Sequence, residues 1–257
     1  MTETGHGLYN IYKEYNNNFK ILKAIYKYDS MTIIRNRRER CPMKESQARI
    51  RSSRYRSQKI IAAAMELFCE KGIEQTSVDE IAARAGVGSA TIYRYYDTKA
   101  GLAVEAGVAY WRKIDSEYLD VNGVAGYPDM TGLEQLQYIL NALVRIFEQE
   151  EAFLKYLQEF DVFIFQNRVA KEKLTEYEAC IMSLKPRVTD ALERGLNDGT
   201  LSFGWTPDEV CYSLAHTLFG LMKRLAWNGS MLNLDLKVSL LLQVKIAVQL
   251  MIDGLKA

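Results

Sequence analysis

Between Ser89 and Lys99 the chain carries side chains suited to reading the edges of base pairs. Ser89, Ala90 and Thr91 are small and follow one another at the start of a short helical segment. The major groove admits one α-helix, and small residues let its backbone close on the bases. Ser89 and Thr91 can donate or accept at a base edge, and Ala90 or the Thr91 methyl can touch a thymine methyl. Arg94 lies one turn on, where its planar fork can bond a guanine at two points, worth roughly 1–3 kcal/mol of discrimination. Tyr93 and Tyr95 flank it with hydroxyls in reach of phosphates. Thr76 and Ser77 place hydroxyls and free amides at a helix N-terminus, a natural seat for a phosphate. Lys99 opens the next helix, where a cation opposes the dipole, so an outside anionic partner is expected to hold it. A second reading of these residues stays open: a three-helix packing unit with an exposed tyrosine patch.

Short helices must position this set. The first is predicted from Ser53 to Lys71, with Ile60, Ala64, Leu67 and Phe68 at helical spacing and Gly72 as its stop. The second runs from Ser77 to Ala85, opened by the Ser77–Glu80 capping box and closed where Gly86 can take positive φ. The third spans Ser89–Tyr95, and Asp97 or Thr98 caps a fourth that reaches Leu119. Ile81, Ala82, Ala85, Val87 and Ile92 form the core of the unit in either reading.

These residues closely resemble the N-terminal domain of the TetR family of transcriptional regulators, over about Ser57 to Leu102. The likeness rests on A-x-x-L-F-x-x-x-G at Ala64–Gly72, the T-S-V-D-E-I-A-x-x-A-G-V run, and T-I-Y-R-Y-Y-D-T-K. The resemblance implies a homodimer on a near-palindromic DNA operator, with Ser89, Ala90, Thr91 and Arg94 toward bases and Thr76, Tyr93, Tyr95 and Lys99 toward phosphates. It also implies C-terminal helices that bind a small-molecule effector and form the dimer interface, so the expected function is a ligand-responsive repressor. Two departures appear. Gly88 stands where Ser or Thr often caps the reading helix, and Gly is a weaker cap. Ala100-Gly101 follows Lys99 where an acid is common, so the fourth helix is expected to start loosely.

The rest of the chain reads as helical, and the fold class is all-α, with no convincing strand alternation and only 4 prolines. The expected division is a basic, tyrosine-rich extension over 1–50, a helix-turn-helix domain over 51–98, and a helical ligand-binding and dimerisation domain over 99–257. The extension, with Arg35, Arg37, Arg38 and Arg40, is either an arm that adds phosphate contacts or a poorly ordered, non-native addition ahead of Met31 or Met43. After a loop at Asn122–Asp129 come helices from about Leu133 to Phe147, through the aromatic run Phe153–Phe165, and from Val169 to Leu196 with a kink at Pro186. Thr206-Pro207-Asp208-Glu209 starts a helix to Trp227. The last helix, Leu234–Ile252, is apolar nearly all round and needs cover on two sides, one of them a partner subunit. Leu218, Met222, Leu240, Val244, Val248 and Met251 are the expected dimer surface. Trp111, Phe147, Phe153, Tyr156, Phe160, Phe163, Tyr177 and His216, with Tyr110 and Tyr138, are pocket candidates. Each aromatic also has a plain reading as core, and His216 one as an interior or interface histidine.

Charge supports a polyanionic partner. The net charge of +1 divides into 19 Lys/Arg against 12 Asp/Glu over residues 1–112, and 14 against 20 over 113–257. Cys41, Cys69, Cys180 and Cys211 lack metal-ligand spacing and read as reduced thiols of a cytoplasmic protein. No apolar run reaches the roughly 18 residues of a membrane span. With only His6 and His216, and no nucleophile–base set, neither an enzyme nor a metal or cofactor site is expected.

Overall fold

The computed structural model describes residues 47–257, apart from 230, 232 and 234–236; side chains are described from residue 52 onward. Ten α-helices are described: α1 Gln47–Lys71, α2 Val78–Ala85, α3 Ser89–Tyr96, α4 Lys99–Ile114, α5 Gly132–Gln149, α6 Glu151–Gln166, α7 Thr175–Met182, α8 Lys185–Asp198, α9 Pro207–Asn228 and α10 Leu240–Asp253. Among the described residues the β pairing is confined to one antiparallel bridge, Leu201 with Lys256, near the chain's end. No helix there is long and apolar enough to cross a membrane. The expectation for the 1–50 extension lies outside the described residues up to 46.

Local chemistry explains most helix starts. Ser77, Thr131 and Thr206 each accept a hydrogen bond from the amide three residues on, and Glu80, Glu134 and Glu209 each reach back to the cap's own N–H. Thr98 caps α4 by accepting from Gly101 N–H at 3.0 Å. α4 then widens into a π turn over Asp115–Leu119. The long helix expected from Val169 to Leu196 is instead two helices: α7 ends at Met182, and Pro186 sits in the first turn of α8, where its missing N–H costs nothing. The last helix starts at Leu240, later than its hydropathy suggested, because Lys237–Ser239 is non-α-helical; Leu234 itself lies outside the described residues.

One hydrophobic core runs from Ile60 on α1 to Leu255. α5 packs along α8 and α10, α9 along α6, and α4 against α7. No linker separates the reading helices from the rest, since only Asp97 and the cap Thr98 lie between α3 and α4. α1–α3 are called the head below, and the remaining helices the body.

Candidate nucleic-acid interface

α2 and α3 form the corner of a helix-turn-helix. Gly86 turns the chain with φ 67°, and its N–H returns to the carbonyls of Ala82 and Ala83. Arg84 on α2 bonds Glu66 and Glu70 on α1, and Lys71 pairs with Glu80. Ile81, Ala82, Ala85 and Ile92 are buried, so α3 turns Ile92 inward and presents its opposite face. Ala90, Tyr93 and Arg94 are exposed, and Ser89 and Thr91 are half-buried at the edge. The Arg94 guanidinium lies 5.8 Å from the Tyr95 ring centre. The Ser89 hydroxyl is hydrogen-bonded to the Asp79 carboxylate. Gly88 offers no side-chain cap to α3.

The expected phosphate contacts fare differently. Thr76 is only 1% exposed, and its hydroxyl donates to Gly72 O at 2.6 Å. It therefore pins the α1–α2 turn from inside and does not face solvent. Ser77 is exposed, but its N–H and its hydroxyl both engage the Glu80 carboxylate at 2.8 Å. The anion seated at the start of α2 is the chain's own Glu80. Its carboxyl is pulled down to about 2, first by the Lys71 hydrogen bond and then by the Ser77 backbone. The Tyr95 and Tyr96 hydroxyls pair with Ser53 and Ser57 on α1 at 2.9 and 2.8 Å, which leaves Tyr93 as the outward tyrosine of the pair expected at phosphates.

Lys99 is a further correction. Its ammonium donates to the carbonyls of Ile73, Glu74 and Thr76 at 3.0, 2.9 and 3.3 Å and lies 5.5 Å from the Phe163 ring centre. The anionic partner expected outside is replaced by three inward carbonyls of the α1–α2 turn. From the other side, Glu159 on α6 accepts the Ile73 N–H at 2.6 Å. Two body helices thus grip one turn of the head, through a cation on its carbonyls and a carboxylate on its amide. Sequence reasoning missed Glu159, because it lies 86 residues from the amide it holds.

The pocket candidates separate into groups. Trp111, Phe153, Tyr156, Phe160 and Tyr177 are buried and stack with Tyr110 in one cluster, with ring centres 4.6–5.7 Å apart. The Tyr156 hydroxyl donates to Ala103 O at 2.5 Å, and burial lifts its pKa well above the usual phenol value. The buried Trp111 indole N–H has no partner in hydrogen-bond geometry. Burial also raises the Tyr177 hydroxyl, while the Trp111 indole N–H, close to that oxygen but outside good hydrogen-bond geometry, pulls it the other way. Phe163 belongs with Lys99 at the head, and Phe147 is half-buried at the rim of the core. Tyr138 packs edge-on to Tyr127, away from the cluster. His216 is exposed on α9 with its ring 6.4 Å from Tyr212, so it is not an interior group of this chain.

Residues 60–106 match the family described as bacterial regulatory proteins, tetR family. That segment, α1 from Ile60 through the first half of α4, is a tetR-type N-terminal domain. HTH-type transcriptional repressor KstR of Mycobacterium tuberculosis is 26% identical over 143 residues, 56% of this chain and 62% of that protein. The match thus spans less than two thirds of that repressor. Among solved structures, a TetR-family regulator from Agrobacterium tumefaciens superposes with a TM-score of 0.58 at 17% identity, covering 80% of this chain and 100% of the other. The ketosteroid transcriptional regulator KstR2 of Mycobacterium tuberculosis does so with a TM-score of 0.55 at 17% identity, covering 79% and 95%. Both share the TetR-family fold with this chain, which accounts for a helix-turn-helix head on a larger helical body.

Proposed function

We propose that the protein is a DNA-binding transcriptional repressor that acts as a homodimer on a near-palindromic operator and is released by a small-molecule effector. The outward face of α3 carries this reading: Ala90, Tyr93 and Arg94 stand exposed around a helix whose Ile92 is locked into the head. That face has the small residue, the bidentate cation and the hydroxyl that a major-groove contact requires.

The dimer surface moves from the residues expected. Leu218, Met222, Val244 and Val248 are 0–3% exposed and serve the chain's own core. Leu240 and Met251 are partly buried against that core. The surface left on α10 is Leu242, Ile246 and Leu250, exposed by 47%, 47% and 67% and spaced four residues apart on one helical face. An apolar stripe of this kind favours cover by a second copy. Two heads so joined must sit roughly one DNA turn, or a multiple, apart. The effector acts through the body, where the buried ring cluster around Trp111 holds two polar groups among apolar rings, the indole N–H and the Tyr177 hydroxyl. The effector lowers DNA affinity only through tighter binding to the form with misplaced heads.

Selection from a random-sequence duplex pool by the purified full chain tests the core of the reading. Enrichment of a sequence with two related half-sites is expected. A pool that stays random at low salt rejects the repressor.

A further inference from the structure

The exposed charged side chains of α2 divide between two neighbours. Glu80 pairs with Lys71, and Arg84 with Glu66 and Glu70, so both turn toward α1. Asp79 turns the other way and takes the hydroxyl of Ser89, the first residue of α3. No cation pairs with this exposed carboxylate among the described residues. The dipole of α2 favours an acid in its first turn, but it does not require that the acid reach across to α3.

A serine hydroxyl has one proton to donate and two lone pairs that accept, and it rotates to suit its partner. A carboxylate only accepts. The Ser89 proton is therefore committed to Asp79, in a charge-assisted bond stronger than a neutral one. What remains for a base is the pair of lone pairs on Ser89 Oγ. Thr91 has no such partner among the described residues and keeps both modes. In the major groove the exocyclic amines of adenine and cytosine donate, whereas guanine N7 and O6 and thymine O4 accept. Lone pairs set against those acceptors repel. We propose that Asp79 is a specificity-determining residue that acts through Ser89: it fixes the hydroxyl as an acceptor, so the operator base facing Ser89 is adenine or cytosine. This rests on the repressor reading and deepens it, because it assigns one base-edge chemistry to one position of that site.

The test repeats the selection from a random-sequence duplex pool with the full chain and its Ser89→Ala and Asp79→Asn variants. Asparagine matches aspartate in shape, and its amide can donate to Ser89 Oγ, which frees the hydroxyl proton. Loss of the charge shifts affinity for all sequences alike, so the readout is the base preference at each position. Ser89→Ala marks the position that Ser89 faces, as the one whose preference flattens. There the wild type is expected to favour adenine or cytosine on the order of tenfold over bases without the amine. Asp79→Asn is expected to lose that preference and keep the others. Replacing the preferred base by its analogue without the amine is expected to cost the wild type the same factor and Asp79→Asn nothing. Circular dichroism checks the fold of the variants, and the analogue measured on the wild type decides the matter even if they misfold. Four results overturn the inference and leave the repressor standing: wild-type preference for guanine or thymine there, no loss on the analogue, an Asp79→Asn profile unchanged or flattened equally everywhere, or no position altered by Ser89→Ala. Failure of the wild type to enrich any duplex overturns both.

Discussion

Arg94 is the residue with the sharpest expected signature. It is exposed on α3, and its neighbour Tyr95 steadies the guanidinium from below. Arg94→Ala is expected to relax preference at one operator position by roughly 1–3 kcal/mol, read by competition among single-base variants. Equal loss on every sequence would refute base reading. Lys99 has the opposite signature. Because its ammonium is spent on three carbonyls of the α1–α2 turn, Lys99→Met is expected to leave the salt slope as it is. Affinity falls on all sequences and the head loses thermal stability, since the part-buried carbonyls of Ile73 and Thr76 lose a donor, while the exposed Glu74 carbonyl can turn to water. A slope shallower by about 0.9 per subunit would return Lys99 to the phosphates.

At the scale of elements, the junction between α3 and α4 is tight rather than loose. Thr98 N–H donates to Tyr96 O at 2.7 Å across Asp97, which sits at φ 65° and ψ −46°, the rare three-residue turn. A Cβ on Gly101 would meet the Tyr96 carbonyl oxygen at 2.3 Å. Glycine after Lys99 is therefore required by this close approach, not a weak helix start. Gly101→Ala is expected to cost about 1–3 kcal/mol and to weaken DNA binding. Gly220→Ala on α9, where a Cβ meets nothing within 4 Å, is the control and should stabilise slightly; equal melting temperatures for the two variants would refute the clash. The start of α2 carries an acid sensitivity. Glu80 is held at about 2 against an ordinary 4.5, so its cap is complete above pH 4.5 and is lost as pH falls toward 2. Circular dichroism of the wild type and Glu80→Gln should differ at neutral pH and converge near pH 2. A constant difference would exclude this linkage.

For the whole molecule, α10 separates core from interface. Ile246→Lys is expected to give monomers in sedimentation with helix content intact, because Ile246 is 47% exposed. Val244→Lys is expected to unfold the body, because Val244 is fully buried and a lone charge there has no partner. Monomers from neither variant would move the interface off α10. The body also holds the head directly: Glu159 on α6 and Lys99 on α4 meet at the same turn. A change in the aromatic cluster, which includes Tyr156 and Phe160 on α6, has a short covalent path to that grip.

The sequence by itself determined what local chemistry decides. The Ser77–Glu80 capping box, the Thr206-Pro207 helix start and the turn at Gly86 depend on neighbours in the chain, and they form as read; that Glu209 also closes a capping box on Thr206 came from the structure. The character of α3 follows as well, because an apolar Ile92 among small and polar residues leaves one way to orient a short helix. Only the tertiary structure decided where the long-range groups go. Thr76 and Lys99 are polar enough for a phosphate, but carbonyls of the α1–α2 turn take them first. Val244 and Ile246 are both apolar, and composition cannot say which faces inward on a helix with so little polar face. Glu159 gains its role from an amide 86 residues away. Hydrogen bonds within one turn are set by backbone geometry, whereas the choice of partner across the fold is set by which helices pack together.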